Sequence, residues 1–283
     1  AGKEHTVPVF VSSSVPDEIK ETRHLFPFPD SDHDYVHACV ELGGRENTKS
    51  LLLWSLKVIG GEEIELPSLQ YPPTEGFYHP TLPDTFDLPS HQQRMDPTKP
   101  TIGILIHQFF YIRKNLRAVD SLITAIEEKG MNVLAFFLVT SPNEVTGSMG
   151  IRTFIETFLI QEGKAVIDVL IINMSFSQIS LSDPNDGTKN EPVHNFFIDL
   201  NVPLLQTITM YRSYDAWSQD DQGLSTMEIS SGIIWPEFDG QIIAIPLGTT
   251  DEYEGLSKVA MPIPGRPERI ADMALRWAEM KRT

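Results

Sequence analysis

From Pro100 onward, uninterrupted apolar runs alternate with amphipathic stretches, and that alternation leaves the chain few ways to fold. Thr101–Ile106, Asn132–Val139, Ile167–Asn173 and Pro203–Thr207 each offer apolar side chains to both faces of an extended backbone. Between the first two lies Lys114–Lys129, where Leu116, Val119, Leu122, Ile123 and Ile126 recur at three- and four-residue steps before Gly130. That spacing predicts an amphipathic helix. Further helices are expected at Ile151–Gln161, near Val193–Leu200, around Tyr214–Ser218 and Ser225–Ser231, and at Glu268–Lys281. Strands that are apolar all round need cover on both faces, which is the position of parallel strands between helical layers. With right-handed crossovers the result is a doubly wound, mostly parallel α/β sheet.

The part before Pro100 reads differently. An apolar run at Val7–Val11 predicts a short strand, the acids after Pro16 a helix start, and Tyr35–Leu42 and Arg45–Ile59 two helices parted by Gly43-Gly44. Between Leu66 and Pro100 there are prolines at 67, 72, 73, 80, 83, 89, 97 and 100. Proline fixes φ and removes a donor, so little regular structure is expected there. The organisation read from the sequence is a small, mainly helical segment over 1–65, a proline-rich linker over 66–99 and a Rossmann- or flavodoxin-like domain over 100–283. An apolar run so close to the first residue, with no cap or turn ahead of it, suggests a module of a longer protein.

Charge narrows the partners. Against 39 acidic residues stand only 22 basic ones, a net charge of −17. Such a surface repels phosphate backbones and anionic lipid, so no nucleic acid is expected as a partner. No apolar run approaches the roughly 20 residues that cross a bilayer, and no leader is visible, so a cytoplasmic protein without a membrane span is expected. Cys39 is the one cysteine, which excludes an intrachain disulfide and a thiolate cluster.

In an open parallel sheet, ligands bind beyond the carboxyl ends of the strands. His107 ends the first strand beside Phe109, Phe110 and Tyr111. An imidazole among aromatics can contact a flat macrocycle or ligate its metal, and it can equally be a histidine bonded to a loop. Tyr211, Arg212 and Asp215, near the mouth of the fourth strand, can clamp a propionate or amide; Ser213 can instead cap a helix with Asp215 and Trp217 in its first turn. Pro236-Glu-Phe-Asp-Gly240 sets Glu237 and Asp239 two residues apart, able to accept pyrrole protons or meet a divalent cation; the plainer reading is turn chemistry at Asp239-Gly240. His33 and His37 share helical spacing with acids around them, which suits a metal site or a helix start answering its dipole. Gly43-Gly-Arg-Glu-Asn-Thr-Lys49-Ser50 imitates a phosphate loop but has Thr48 where glycine is needed, so no ATP site is expected.

Several blocks carry a resemblance. They are Leu200–Thr209, Ser213-Tyr-Asp-Ala-Trp217, Gln222-Gly-Leu-Ser225 and Trp235–Gly240, with Leu42–Asn47, Glu75-Gly-Phe-Tyr-His-Pro80, Pro100–Leu105 and Ala274-Leu-Arg-Trp277 around them. In order and spacing they resemble the large, tetrapyrrole-binding subunit of the ATP-dependent cobalt and magnesium chelatases, the cobaltochelatase (CobN-type) branch being the more similar. The chain departs from that family at His107-Gln108-Phe109, where relatives often carry an arginine-containing strand end, and in an acidic loop at Gly248–Gly255. The resemblance implies insertion of cobalt or magnesium, as substrate, into a corrin precursor or porphyrin. That is a ligase reaction forming nitrogen–metal bonds, with ATP hydrolysed by separate AAA+ subunits and no tightly held cofactor on this chain. A non-catalytic ligand-binding or scaffold domain is the alternative.

Overall fold

The structure, a computed structural model, describes residues 23–25, 28–143, 146–179 and 194–283. The strand expected at Val7–Val11 and the helix start at Pro16 lie outside the described residues. The chain divides into two compact units, at Pro72 and Pro73.

In the first unit, helices α1 (Asp30–Leu42) and α2 (Gly44–Val58) follow one another through Gly43, whose φ of 59° suits glycine. Trp54 is fully buried, edge-on to Phe28, and its indole N–H donates to Asp32 Oδ1 at 3.1 Å. Asn47 ties the segment leading out of the unit: its amide donates to the Gly43 and Gln70 carbonyls, and its Oδ1 accepts the Gln70 N–H at 2.8 Å.

The second unit is built on a seven-stranded sheet in the order β1-β3-β2-β6-β7-β8-β9. Its strands are β1 (Gly76–Tyr78), β2 (Thr101–His107), β3 (Asn132–Leu138), β6 (Val169–Asn173), β7 (Leu204–Thr209), β8 (Ile242–Tyr253) and β9 (Leu256–Pro262). A separate two-stranded hairpin joins β4 (Ile160–Gln161) to β5 (Lys164–Ala165). β2, β3, β6, β7 and β8 pair in parallel, and the edge strands β1 and β9 are antiparallel. The helices of this unit are α3 (Leu88–Gln92), α4 (Gln108–Ile112), α5 (Arg117–Glu128), α6 (Gly150–Phe154), α7 (Phe196–Leu200), α8 (Tyr214–Ser218), α9 (Thr226–Ile229), α10 (Trp235–Phe238) and α11 (Arg266–Arg282).

Alternation along the strands sorts the core into two layers. On one face Ile102, Ile104, Ile106, Ala135, Phe137 and Ile171 pack against α5 and α11. On the other, Leu105, Phe136, Leu138, Leu170 and Ile172 pack against α6, its continuation as a π-turn (Ile155–Leu159), and α7. The doubly wound parallel sheet is thus present. At Gly103 the neighbouring β6 segment packs closely, since a Cβ there would lie 2.8 Å from Ile167 Cδ1 and 3.1 Å from Leu170 Cδ1.

Two expectations need correction. The proline-rich stretch is not a linker throughout. Gly76–Tyr78 within it joins the sheet as β1, with Phe77, Tyr78 and His79 buried, because a three-residue edge strand tolerates prolines just outside its ladder. The acidic Gly248–Gly255 segment is no loop either: it is the outer half of β8, turning at Glu254-Gly255 into β9.

Candidate functional site at the carboxyl rim

β2 connects to β3 on one side of itself, and β3 then crosses to β6 on the other, so the strand order reverses between β2 and β6. In an open sheet that reversal opens a crevice at the carboxyl ends. His107 is the last residue of β2, and the neighbouring rim residue of β6 is Asn173, paired with Ile106. The Asn173 amide and Thr209 Oγ1, at the end of β7, meet at 3.1 Å, which extends a polar rim across three strands.

His107 is held by its own backbone. It occupies the N-cap of α4, and its Nδ1 accepts the Phe109 N–H at 3.1 Å. Burial pushes its pKa below the ordinary imidazole value, so the neutral ring predominates. With the Nδ1 lone pair used by the cap, the proton of the neutral ring sits on Nε2, which meets no hydrogen-bond partner among the described residues. The ring therefore presents a donor. Ligating a metal through Nε2 would require the other tautomer and the loss of the cap, so the structure weighs against His107 as a metal ligand. Phe109 is exposed beside it, with the Arg113 guanidinium 4.1 Å from the ring centroid.

The other predicted residues do not converge on this rim. Tyr111 is a correction: four residues into the helix it turns into the core, stacked on Phe137 at 4.2 Å and nearly parallel, with its hydroxyl on the Pro83 carbonyl. It is no ligand contact. Tyr211 is 77% exposed. Arg212 is consumed by the following loop, its guanidinium paired with Asp220 and Glu228 and donating to the Gly223 carbonyl. Only its buried Nε lacks a partner. Glu237 and Asp239 point apart. Glu237 is exposed on α10, whereas Asp239 is 1% exposed and accepts from Ser177 Oγ (2.5 Å), the Gln178 N–H (2.6 Å) and Gln241 Nε2 (3.3 Å). Asp239 thereby fastens the loop after β6 to the turn entering β8. The His33 and His37 rings stack at 6.0 Å, and among the described residues no three His, Cys, Asp or Glu side chains are grouped to hold a metal.

Two surface depressions open at the amino ends of strands instead. The larger, about 780 Å³, is lined by Phe197, Ile198, Leu204, Ile242, Trp277 and Met280. The smaller, about 320 Å³, has Asp168 and Arg282 in its wall, and that pair is closed on itself at 3.0 Å. Asp239 and Lys281 also stand in the wall of the larger one, Asp239 with its carboxyl spent on the hydrogen bonds above and Lys281 donating to the Ile167 carbonyl at 3.2 Å.

A family model for CobN/magnesium chelatase matches residues 37–283. The chain belongs to the CobN/magnesium chelatase family. A chain of this family at this size is a part of its relatives' length. An uncharacterised protein of Methanocaldococcus jannaschii is 31% identical over 88% of this chain and 21% of its own. The aerobic cobaltochelatase subunit CobN of a Sinorhizobium species is 25% identical over 65% of this chain and 14% of its own. The catalytic subunit of cobaltochelatase from Mycobacterium tuberculosis shares the fold, with a TM-score of 0.58 at 21% identity over 93% of this chain and 21% of that one. No helix among the described residues is long and apolar enough to cross a membrane.

The Glu75-Gly-Phe-Tyr-His-Pro80 block, quoted for its resemblance alone, places its first residue at the rim. Glu75, adjoining β1, has a side-chain oxygen, Oε2, that is sealed from solvent and has no hydrogen-bond partner. It follows Pro72-Pro73 and Thr74, where composition gives no sign of a strand.

Proposed function

We propose that this chain is a module of the large subunit of an ATP-dependent cobalt or magnesium chelatase, binding a tetrapyrrole at the carboxyl rim of its sheet for divalent metal insertion. The observation that carries the reading is the family match over residues 37–283. In this reading the crevice between β2 and β6 receives the edge of the macrocycle. Phe109 offers an aromatic face and His107 a hydrogen-bond donor through Nε2. The metal is a substrate, and ATP is hydrolysed on partner subunits of the AAA+ class, so the module alone does not turn over. Asp239 and Glu237 are not the bases of this reaction, since one is spent in a buried latch and the other faces solvent.

Titrating the protein with a porphyrin and with a corrin precursor tests the reading. A saturable shift of the Soret band, or of the corresponding corrin band, is expected. No change at saturating ligand would overturn it in favour of a scaffold domain.

His107 can be separated from its capping role. His107→Ala is expected to cost about 1 kcal/mol of stability, the usual value of a lost cap, while His107→Asn restores the acceptor and most of that loss. Both should weaken tetrapyrrole binding alike, because neither retains the imidazole donor. If His107→Asn binds as the wild type does, the histidine serves only the cap.

A further inference from the structure

The turn beyond β6 shows one side chain to solvent against its preferences. Met174, Ser177 and Gln178 are buried in it, yet Phe176 among them is 45% exposed. Phe176 also has a φ of 66°, in the left-handed region where a Cβ crowds the backbone. The ring thus forgoes burial and the backbone carries strain at the same residue. Glycine or asparagine at this place would relieve both.

The surroundings fix this conformation. The Phe176 N–H donates to the Ser231 carbonyl at 2.6 Å, and the Phe176 carbonyl accepts from Gln178 Nε2 at 3.1 Å. Gln178 is itself held, its Oε1 accepting from Thr140 Oγ1 at 2.8 Å and its backbone N–H donating to Asp239. Ahead of the turn, Gln206 Nε2 donates to the Met174 carbonyl at 2.9 Å. Strained residues persist where their neighbours over-determine them, and they gather at ligand clamps. The place of Phe176 in the sheet fits such a role. Asn173 ends β6 in register with Ile106 of β2, and the crevice opens between these two strands. Phe176 lies three residues beyond β6, and Phe109, 39% exposed, lies two beyond β2.

We propose that Phe176 is a second stacking residue of the tetrapyrrole site, presenting its ring from the β6 bank of the crevice as Phe109 does from the β2 bank. The proposal rests on the tetrapyrrole reading above and deepens it, because it names the residue that the loop after β6 is built to display. Aromatic faces favour a flat conjugated partner in offset or edge contact. A ring already held in position loses little freedom when that partner arrives, so the strain stored in the free protein is returned as affinity.

The test uses Soret titrations of the full chain with mesoporphyrin IX, comparing wild type, Phe176→Asn and Phe176→Tyr. Phe176→Asn is expected to weaken binding roughly tenfold, as for loss of one stacked ring. Phe176→Tyr keeps the ring and should bind within about twofold of the wild type. Thermal melts give an independent readout, because asparagine accepts the left-handed conformation more readily than phenylalanine. Phe176→Asn should therefore melt at or above the wild-type Tm while binding less well, a combination that a ring serving only the fold does not produce. Unchanged binding by Phe176→Asn overturns the proposal alone. So does equal weakening in Phe176→Asn and Phe176→Tyr, or a Tm for Phe176→Asn several degrees below that of the wild type. Failure of the wild type to bind the porphyrin overturns the tetrapyrrole reading, and this proposal falls with it.

Discussion

Tyr111→Ala is expected to lower folding stability by about 3–5 kcal/mol, the range for deleting a fully packed aromatic ring. The ring lies flat on Phe137, with Phe86 and Tyr78 edge-on at 5.6 and 6.1 Å. Deleting it opens a hole between the edge strand β1, its neighbour β3 and the chain that crosses above them. Tyr111→Phe removes only the bond to the Pro83 carbonyl and should cost about 1 kcal/mol. Neither substitution touches the rim, so Tyr111→Phe should bind tetrapyrrole as the wild type does. Urea unfolding followed by far-UV circular dichroism measures both. A loss below about 1 kcal/mol for Tyr111→Ala would mean the ring is not packed as described, and would return Tyr111 to the list of candidate ligand contacts.

The contrast between Tyr111 and His107 shows what a sequence of this kind reveals. The central strands are legible because Thr101–Ile106 and Asn132–Val139 are apolar on both faces, and only a covered parallel sheet makes use of that. The edges are not. β1 is three residues set among prolines, and β9 contains Ser257 and Lys258, so each lacks the continuous apolar signal of a strand covered on both faces. The same limit applies to the site. That His107 stands at a strand tip follows from where its strand ends. That its Nδ1 is spent on a cap depends on the chain turning at once into α4, and this turn also sends Tyr111 inward. Arg212 sits where expected, yet Asp220 and Glu228, eight and sixteen residues further on, take its charge.

Asp239→Ala is expected to cost about 3–5 kcal/mol, comparable with breaking a buried polar network, because Ser177 Oγ, the Gln178 N–H and the Gln241 amide all lose this acceptor inside the protein. Asp239→Asn should cost less, since its amide oxygen can still accept from Gln178 while its NH₂ donates to Ser177. The pair of variants also yields a pH signature. Burial raises the Asp239 pKa above its ordinary value, outweighing the hydrogen bonds from Ser177, Gln178, Gln241 and the Ile179 backbone that act to lower it. A carboxyl whose folded pKa is raised binds its proton more tightly in the native state than in the unfolded chain. Its contribution to stability is then fully present below the unfolded pKa of about 3.9 and declines as pH rises through the folded value. Asp239→Asn does not titrate there. The stability of wild type relative to Asp239→Asn should therefore fall as pH rises from about 4 towards neutrality, and level off once Asp239 is ionised in both states. A gap that widens with pH instead would mean that the ionised carboxylate is the favoured native form, with its hydrogen-bond donors outweighing desolvation. Asp239→Ala at wild-type stability but with tetrapyrrole binding lost would return Asp239 to the ligand site.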